Sequence, residues 1–433
     1  MERIEGMSEV KLSQCMIVKN EEKNIERALC WAKAHVMEQI VVDTGSTDRT
    51  VELAAKMGAK IYRFDWINDF SAAKNYALDQ AAGDWSIFTD ADEYMTSEDA
   101  DKLIKYLKNI QNDPEKRKNC LALNCRLVNM DDEGKAISVH DAMRVFRNET
   151  GLRFTGRIHE RLDVQADNVV WADEFEIYHT GYSDSEKKEK NKTKRNIDML
   201  REEIAFEPDD MALKVYLADA LKQKDDEESQ NEADSYFMDV IENGAGKVFY
   251  KLRVKAYIHF MNKYVNDPEK RDICEALCKR ALTEFPGSLD FEYFLASVLN
   301  YRGEYRAAWE LLKAGEDKLK SGADCGVSFY VIADRTMLYG QMLLAAQGLG
   351  DLENVAVYAA LILLADKTKM EILTPLIAIL SNAGLPADEV LCTLADIYNL
   401  KDAGDLLIIA RAAKDCGALD LANKTMTIAR QHM

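Results

Sequence analysis

Three carboxylates in one short segment raise the question of chemistry. In F-T-D-A-D-E, Asp90, Asp92 and Glu93 directly follow an apolar strand pattern. Two carboxylates one residue apart at a strand end can share a hard divalent cation, and Mg²⁺ or Mn²⁺ held that way often bridges to a diphosphate. Taken by itself, the segment also reads as an acidic turn. In V-V-D-T-G-S-T-D, Asp43 ends a second strand, where its carboxylate can accept hydrogen bonds from a ribose or a base edge. Asp48 in the same segment reads as a helix cap. In M-I-V-K-N-E-E, Asn20 and Glu21 follow a third strand, and Glu22 suits a helix start. In F-D-W-I-N-D-F-S-A-A-K-N, Asp69 and Lys74 are placed to touch a base or phosphates, while Trp66 and Phe70 read as packing residues.

Three further segments could complete such a site. F-T-G-R-I-H-E-R sets His159 and Glu160 between Arg157 and Arg161. A carboxylate beside a reaction centre can serve as general base, and the bland reading is a surface ion pair. In Y-H-T-G-Y, His179 stands between Tyr178 and Tyr182 and reads either as a core histidine or, near Asp92, as a further metal ligand. A run of cations, Lys187, Lys188, Lys190, Lys192, Lys194 and Arg195, would by default be a solvated helix face. Lys194 or Arg195 could also neutralise a departing diphosphate.

The elements that would hold these residues alternate along the first ninety positions. Strand patterns cover 12–18, 39–42, 59–62 and 85–88, separated by helix patterns over 20–34, 48–57 and 71–81. That order predicts a mainly parallel, doubly wound sheet, whose ligands bind at the carboxyl ends of the strands. Asn20, Asp43 and Asp90 all lie just past such ends. A helix over 98–110 and strand-rich pieces at 120–127, 143–146 and 175–178 read as the second half of the same domain. Residues 183–200 are expected to form a charged bridging helix. Beyond it strand signals fade. Gly350, Gly384 and Gly417 recur at intervals of 34 and 33 residues, each between two apolar helix patterns, and Gly303 and Pro286 mark similar breaks. The period and the helix-turn-helix unit predict a tetratricopeptide-like solenoid with a groove for a partner. The expected domains are 1–182, an α/β domain; 183–200, the bridge; and 201–433, the all-α repeats.

Composition bounds the alternatives. The chain has 433 residues, a formal net charge of −19, 21 glycines and six prolines. The scarcity of helix breakers agrees with a largely helical chain, and the acidic balance argues against a nucleic-acid partner. The apolar run 355–365 falls short of the ~18 residues a membrane span needs. The opening M-E-R-I-E-G lacks a signal-peptide pattern. Nine scattered cysteines do not suggest a disulfide framework, and Cys274 and Cys278 read as core residues. A cytoplasmic protein is expected.

Together and in order, M-I-V-K-N-E-E, I-V-V-D-T-G-S-T-D, D-F-S-A-A-K-N and F-T-D-A-D-E resemble the nucleotide and D-x-D motifs of inverting family 2 glycosyltransferases of the GT-A fold. The likeness covers about residues 12–195. The continuation R-V-F-R, G-R-I-H-E, Y-H-T-G-Y and K-T-K-R-N-I, with its repeat tail, is similar to the subgroup containing bacteriocin cysteine S-glycosyltransferases, which modify peptides. The resemblance implies a nucleotide-sugar donor, most simply a UDP-sugar, and Mn²⁺ or Mg²⁺. It implies donor contacts by Val18, Asn20, Glu21, Asp43, Gly45, Asp69, Lys74, Asp90, Ala91, Lys194 and Arg195. Asp92 and His179 would hold the metal, and Glu160, or less directly His159, would be the base. Relatives more often carry arginine where this chain has Lys74, which keeps the charge and loses the bidentate fork. A peptide or protein acceptor is expected, with a homodimer through the repeats as a further option. The alternatives are a saccharide or lipid-linked glycan acceptor, or a non-catalytic adaptor built on a decayed transferase.

Overall fold

The computed structural model describes residues 9–131, 133–180 and 186–432, without the side chains of 186–192. Tyr182, the 183–185 part of the expected bridge, and the side chains of Lys187, Lys188, Lys190 and Lys192 therefore lie outside the described residues. Two compact units divide the chain, Met1–Ala233 and Asp234–Met433.

The first unit is built on a sheet of eight strands. These are β1 (Leu12–Val18), β2 (Glu38–Asp43), β3 (Lys60–Arg63), β4 (Trp85–Phe88), β5 (Glu93–Tyr94), β6 (Ala122–Met130), β7 (Ala136–Arg147) and, after the small hairpin of β8 (Phe154–Thr155) and β9 (Arg161–Leu162), β10 (Val169–His179). The spatial order is β3-β2-β1-β4-β7-β6-β10-β5. The first four run parallel, β7 is antiparallel to both β4 and β6, β10 is parallel to β6, and β5 is antiparallel to β10. Alternation along the strands sorts the apolar residues onto two faces. Met16, Val18 and Val41 pack with Ile25 and Leu29 of α1 (Ile25–Cys30) and Leu53 of α2 (Thr50–Lys56). Cys15, Ile40 and Val42 pack on the other face with Ala77 and Leu78 of α3 (Phe70–Asp79). Leu103 and Leu107 of α4 (Ser97–Asn112) cover Ile87, Leu123 and Ile177. Each fully buried side chain of this kind contributes roughly 1.5–3 kcal/mol. This is the mainly parallel, doubly wound sheet that the order of strand and helix patterns predicts. Helix α5 (Pro114–Asn119) lies between α4 and β6, and α6 (Glu186–Phe206) and α7 (Met211–Lys222) follow β10.

Several elements differ from their sequence patterns. No helix begins at 20. Asn20 adopts a left-handed φ of 60°, and Glu21 donates its backbone N–H to Thr50 Oγ1 (2.7 Å). Residues 20–24 thus turn across to the loop after β2, and α1 starts only at Ile25. A 3₁₀ turn, Trp31–Ala34, completes the segment. The next helix starts at Thr50 and not at 48, because Asp48 Oδ1 accepts from the N–H of Thr50 (3.0 Å) as an Asx turn. Strand β7 is much longer than its apolar core at 143–146, since its first half pairs with β6 while facing solvent.

The second unit is helical throughout its described residues. The boundary falls within α8 (Glu227–Asn243), and there follow α9 (Tyr250–Tyr264), α10 (Arg271–Glu284), α11 (Leu289–Tyr301), α12 (Tyr305–Ser321), the short α13 (Tyr330–Ala333), α14 (Arg335–Leu349), α15 (Leu352–Ala365), α16 (Met370–Asn382), α17 (Ala387–Leu394), α18 (Ala403–Asp415) and α19 (Leu419–His432). Helices pack mainly on their neighbours in sequence, as in a quasi-one-dimensional repeat array. A continuous core runs through Leu312, Met342, Tyr358, Ile377, Leu394 and Ile409. The recurring glycines do the work their spacing implies. Gly350 takes a φ of 69°, and Asp351 donates its N–H back to Ala346 O (3.0 Å), closing α14 before α15 begins. Gly303, Gly384 and Gly417 adopt the same left-handed conformation between successive helices. All nine cysteines are free, with Cys274 and Cys278 buried.

Candidate active site

The expected site residues fall along the carboxyl ends of β1, β2 and β4. Val18 pairs with Asp43 across the parallel β1–β2 register, and Val18 O accepts from both the N–H and Oγ1 of Thr44 (3.0 Å each). The loops after the two strands are laced together. Asn20 donates its N–H to Ser46 Oγ (3.0 Å) and accepts at Oδ1 from Thr47 N–H (2.8 Å). Buried Asp43 accepts at Oδ1 from Ser46 N–H (2.9 Å). Gly45 turns this loop with a φ of 105° and has open space where a Cβ would stand, so backbone there can approach a ligand closely. Glu21 Oε2 accepts from Asn24 Nδ2 (2.9 Å).

The acidic segment is organised by an arginine that the sequence patterns did not single out. Strand β7 pairs antiparallel with β4, with Val145 opposite Ile87. Arg144 therefore stands next to the residues that follow β4. It donates from Nη2 to Asp90 Oδ2 (3.0 Å) and from Nε to Glu93 Oε2 (3.0 Å). Burial favours the neutral acid at Asp90, but the charges of Arg144, then Lys74 and His179, outweigh it and hold the carboxyl below its ordinary range. Burial raises Glu93, with Arg144 opposing. Ala91 is buried against Met16, Val18 and Ile25, which anchors the turn.

Asp92 and His179 meet on the same side. Asp92 Oδ2 lies 3.3 Å from His179 Nε2. His179 Nδ1 is 2.8 Å from Asn129 Oδ1 on the neighbouring β6, so the imidazole is gripped at both nitrogens. The hydrogen bond to Asp92 is the largest cause raising its pKa, ahead of burial, which lowers it. The backbone of Asp92 is fixed too, since Thr180 donates to Asp92 O from N (3.1 Å) and Oγ1 (3.2 Å). Among the described residues no group of three or more His, Cys, Asp or Glu could hold a metal ion by itself. An Asp–His pair still fits a Mn²⁺ or Mg²⁺ that takes its remaining ligands from a diphosphate and water, as catalytic Mg²⁺ usually does.

The H-E segment joins this centre through α3. Asp69 caps α3 by accepting at Oδ1 from Ala72 N–H (2.8 Å). Lys74, one turn on, is 5% exposed, and its Nζ lies 2.5 Å from Glu160 Oε1. The Glu160 charge also acts on Arg144, so Lys74, Asp90, Arg144 and Glu160 share one electrostatic field. His159 is placed differently. It takes a left-handed φ of 52°, and its ring stacks on Tyr216 of α7 at 4.0 Å. Trp66 and Phe70 pack edge to face at 4.8 Å, as packing residues should.

Lys194 and Arg195 border a different feature. With Asn68, Asp198, Met199 and Glu202 they line an open cavity of about 250 Å³. Arg195 lies over the Phe70 ring at 5.3 Å and donates to Asn196 Oδ1. Their neighbours there are Asn68 and Phe70, either side of Asp69.

Comparison with known proteins gives the similarities of the chain as a whole. Residues 13–113 match the family model described as glycosyl transferase family 2. A TPR repeat-containing protein of Synechococcus elongatus is 32% identical over 233 residues, 51% of this chain and 55% of that one. The SPbeta prophage-derived glycosyltransferase SunS of Bacillus subtilis is 28% identical over 304 residues, 66% of this chain and 65% of that one. The chain thus spans less than two thirds of the length of either curated relative. Among solved structures, S. aureus TarS 1-349 in complex with UDP-GlcNAc is 14% identical with a TM-score of 0.36, covering 67% of this chain and 91% of that chain. No described helix is long and apolar enough to cross a membrane. Residues 13–113 are thus similar to family 2 glycosyltransferases, and a helical region follows the sheet domain.

Proposed function

We propose that this protein transfers a sugar from a UDP-sugar to a peptide or protein side chain in the cytoplasm, with inversion at the anomeric carbon and with help from Mn²⁺ or Mg²⁺. The single observation that carries the reading is that Asp43 and Asp90 lie at or just past the carboxyl ends of the strands flanking β1, with Asp90 in the field of Arg144, Lys74 and His179 and with the pairs Asp92–His179 and Lys74–Glu160 formed. In this reading residues 1–182 hold the chemistry, residues 183–200 bridge, and 201–433 present the acceptor, with a homodimer through the repeats as a compatible assembly. The similarity to SunS, a glycosyltransferase, and to a TPR repeat-containing protein supports both parts.

The roles in this reading combine the motif resemblance with the geometry. Asn20, Glu21, Asp43 and Gly45, with Val18 beneath them, form the rim for the nucleoside. Asp90, kept ionised and oriented by Arg144, faces the sugar or ribose, and Ala91 supports its turn. Asp92 and His179 would hold the cation, which supplies positive charge to the departing diphosphate. Glu160 accepts the proton of the acceptor nucleophile. The nucleophile's electron pair forms the new bond to the anomeric carbon as the bond from that carbon to the phosphate oxygen breaks, and UDP leaves with that pair. Lys194 and Arg195, next to the α3 cap, add positive charge along the exit side. A direct displacement needs no covalent intermediate and so no second nucleophilic carboxylate.

A thermal-shift panel tests this. Nucleotide sugars are added to the full chain with and without Mn²⁺ or Mg²⁺, since ligands that bind the native state raise Tm by mass action. A metal-dependent rise with a UDP-sugar is expected. A folded sample that responds to no nucleotide sugar would turn the reading toward the adaptor. Acceptor class is then read by mass spectrometry, with peptides set against glycan acceptors.

A further inference from the structure

We infer that Lys74 is a positioning residue for Glu160 and not a donor-phosphate contact, an inference that rests on the reading of Glu160 as base. Three observations carry it. The first is enclosure. Lys74 is 5% exposed, its ammonium lies over the rings of Phe88 (5.0 Å) and Phe154 (5.1 Å), and Glu160 Oε1 stands 2.5 Å away. Two aromatic faces and a carboxylate already surround the cation, leaving little room for a phosphate.

The second is the way one helix grips the loop that carries the base. Residues 70, 71, 74 and 75 of α3 lie on one face. Phe70 N–H donates to Arg157 O (2.8 Å), Ser71 Oγ donates to Gly156 O (2.6 Å), and Asn75 exchanges hydrogen bonds with the backbone of Phe154 (2.8 and 2.9 Å). Lys74 is the one contact on that face that reaches the carboxylate itself. The third is which oxygen it uses. The ion pair engages Oε1, and in this reading Oε2 is the atom that receives the proton. A point charge on a straight stem suits a slot between two rings.

Because Glu160 would also accept the proton of an attacking water, the test needs no identified acceptor. UDP binding is measured by calorimetry, and UDP release from UDP-glucose and UDP-N-acetylglucosamine is followed for the full chain and for Lys74→Met, Lys74→Arg, Glu160→Gln and the double variant Lys74→Met/Glu160→Gln. We expect Lys74→Met to keep UDP affinity within about twofold while kcat falls by about tenfold or more. Lys74→Arg should restore part of that rate, and Lys74→Met should cost nothing further in the Glu160→Gln background, as for two residues acting as one unit. A loss of UDP affinity of about tenfold in Lys74→Met, with Glu160→Gln still slow, would make Lys74 a donor ligand and overturn the inference while sparing the base. A Glu160→Gln enzyme at full rate would instead remove the base assignment itself. If Lys74→Met does not fold, Lys74→Arg and the double variant, which leaves no buried charge unpaired, decide the same question: a loss of UDP affinity of about tenfold in the double variant relative to Glu160→Gln overturns the inference, and unchanged affinity there with a slowed Lys74→Arg supports it.

Discussion

Arg144 and Glu93 form a buried ion pair whose second arm reaches Asp90. The guanidinium donates to Glu93 Oε2 and to Asp90 Oδ2, each at 3.0 Å, and the Glu93 side chain is 1% exposed. One cation thereby fixes both ends of the D-A-D-E turn. Replacing Arg144 with methionine strands a carboxylate in a site that burial already makes hostile to charge. Breaking such a buried pair from one side costs about 3–5 kcal/mol. Urea unfolding of Arg144→Met should show that loss, and Arg144→Met/Glu93→Gln should recover much of it. Arg144→Lys should fold better than Arg144→Met yet bind UDP-sugar poorly, because a point charge cannot hold both carboxylates. Wild-type stability in Arg144→Met would mean that the pair contributes nothing.

Asp92 makes a separate prediction about metal. Its Oδ2 and His179 Nε2 are 3.3 Å apart, and Thr180 fixes its carbonyl. Asp92→Asn keeps the shape and removes the charge. The Mn²⁺-dependent part of UDP binding should then fall by at least about tenfold, the scale on which ligand-set changes act. Asn129→Ala should give a smaller loss, because it frees only the far nitrogen of His179. Calorimetry with and without Mn²⁺ separates the two, and an unchanged Mn²⁺ effect in Asp92→Asn would sink the metal assignment.

How far these residues could be read in advance depends on what fixes them. Strands β1 and β4 match their predicted bounds because each is a buried run bounded by polar residues. Asn20, Asp43 and Asp90 were legible for the same reason, since a strand end is a local property. The start of α1 was not, because the turn at Asn20 is set by hydrogen bonds to Ser46 and Thr47. The first half of β7 carries exposed Ile137 and Val139; its partner β6 defines it, not a buried face. Arg144 stood in the quoted R-V-F-R motif without a role, since only the antiparallel β4–β7 pairing brings it to Asp90. Lys74 reads as a helix cation after a cap, and its enclosure by Phe88, Phe154 and Glu160 is a tertiary fact.

Acid should weaken the helical unit through Asp405. Its carboxylate accepts from Lys367 Nζ at Oδ1 (2.6 Å) and Oδ2 (2.9 Å), and from Asn399 N–H at Oδ2 (2.8 Å). Burial alone would raise it, but these donors outweigh burial and lower its pKa. A depressed native pKa stabilises the fold above the unfolded value near ~3.9, and that contribution is lost as pH falls through the native value. Asp405→Asn should therefore cost about 1.5–3 kcal/mol at pH 7, the scale of hydrogen bonds to a charged group. The exposed half of Lys367 argues for the lower end. The difference from wild type should shrink as pH falls below about 4, where the unfolded carboxyl begins to protonate, and be gone below the lower native value. A difference that persisted unchanged at that pH would show that the amide's geometry, and not the lost charge, is responsible.

Two glycines of α14 should respond to the same substitution with opposite signs. Gly340 lies in the helix interior with nothing within 4 Å of a built Cβ. Alanine there gains helix propensity and restricts the unfolded chain, worth about 0.5–1 kcal/mol. At Gly348 a Cβ would run into the ring carbons of Tyr305, at the start of α12. The contact is with the inner ring atoms Cγ and Cδ2, so the whole tyrosine must shift for the methyl to enter. Overpacking of this kind costs about 1–3 kcal/mol, which exceeds what propensity returns at the last turn of a helix. Gly340→Ala should raise the urea midpoint and Gly348→Ala should lower it. Adding Tyr305→Ala should relieve the strain, so that Gly348→Ala in that background becomes neutral or stabilising. A destabilising Gly348→Ala that Tyr305→Ala fails to relieve would show that the two helices do not meet at this contact.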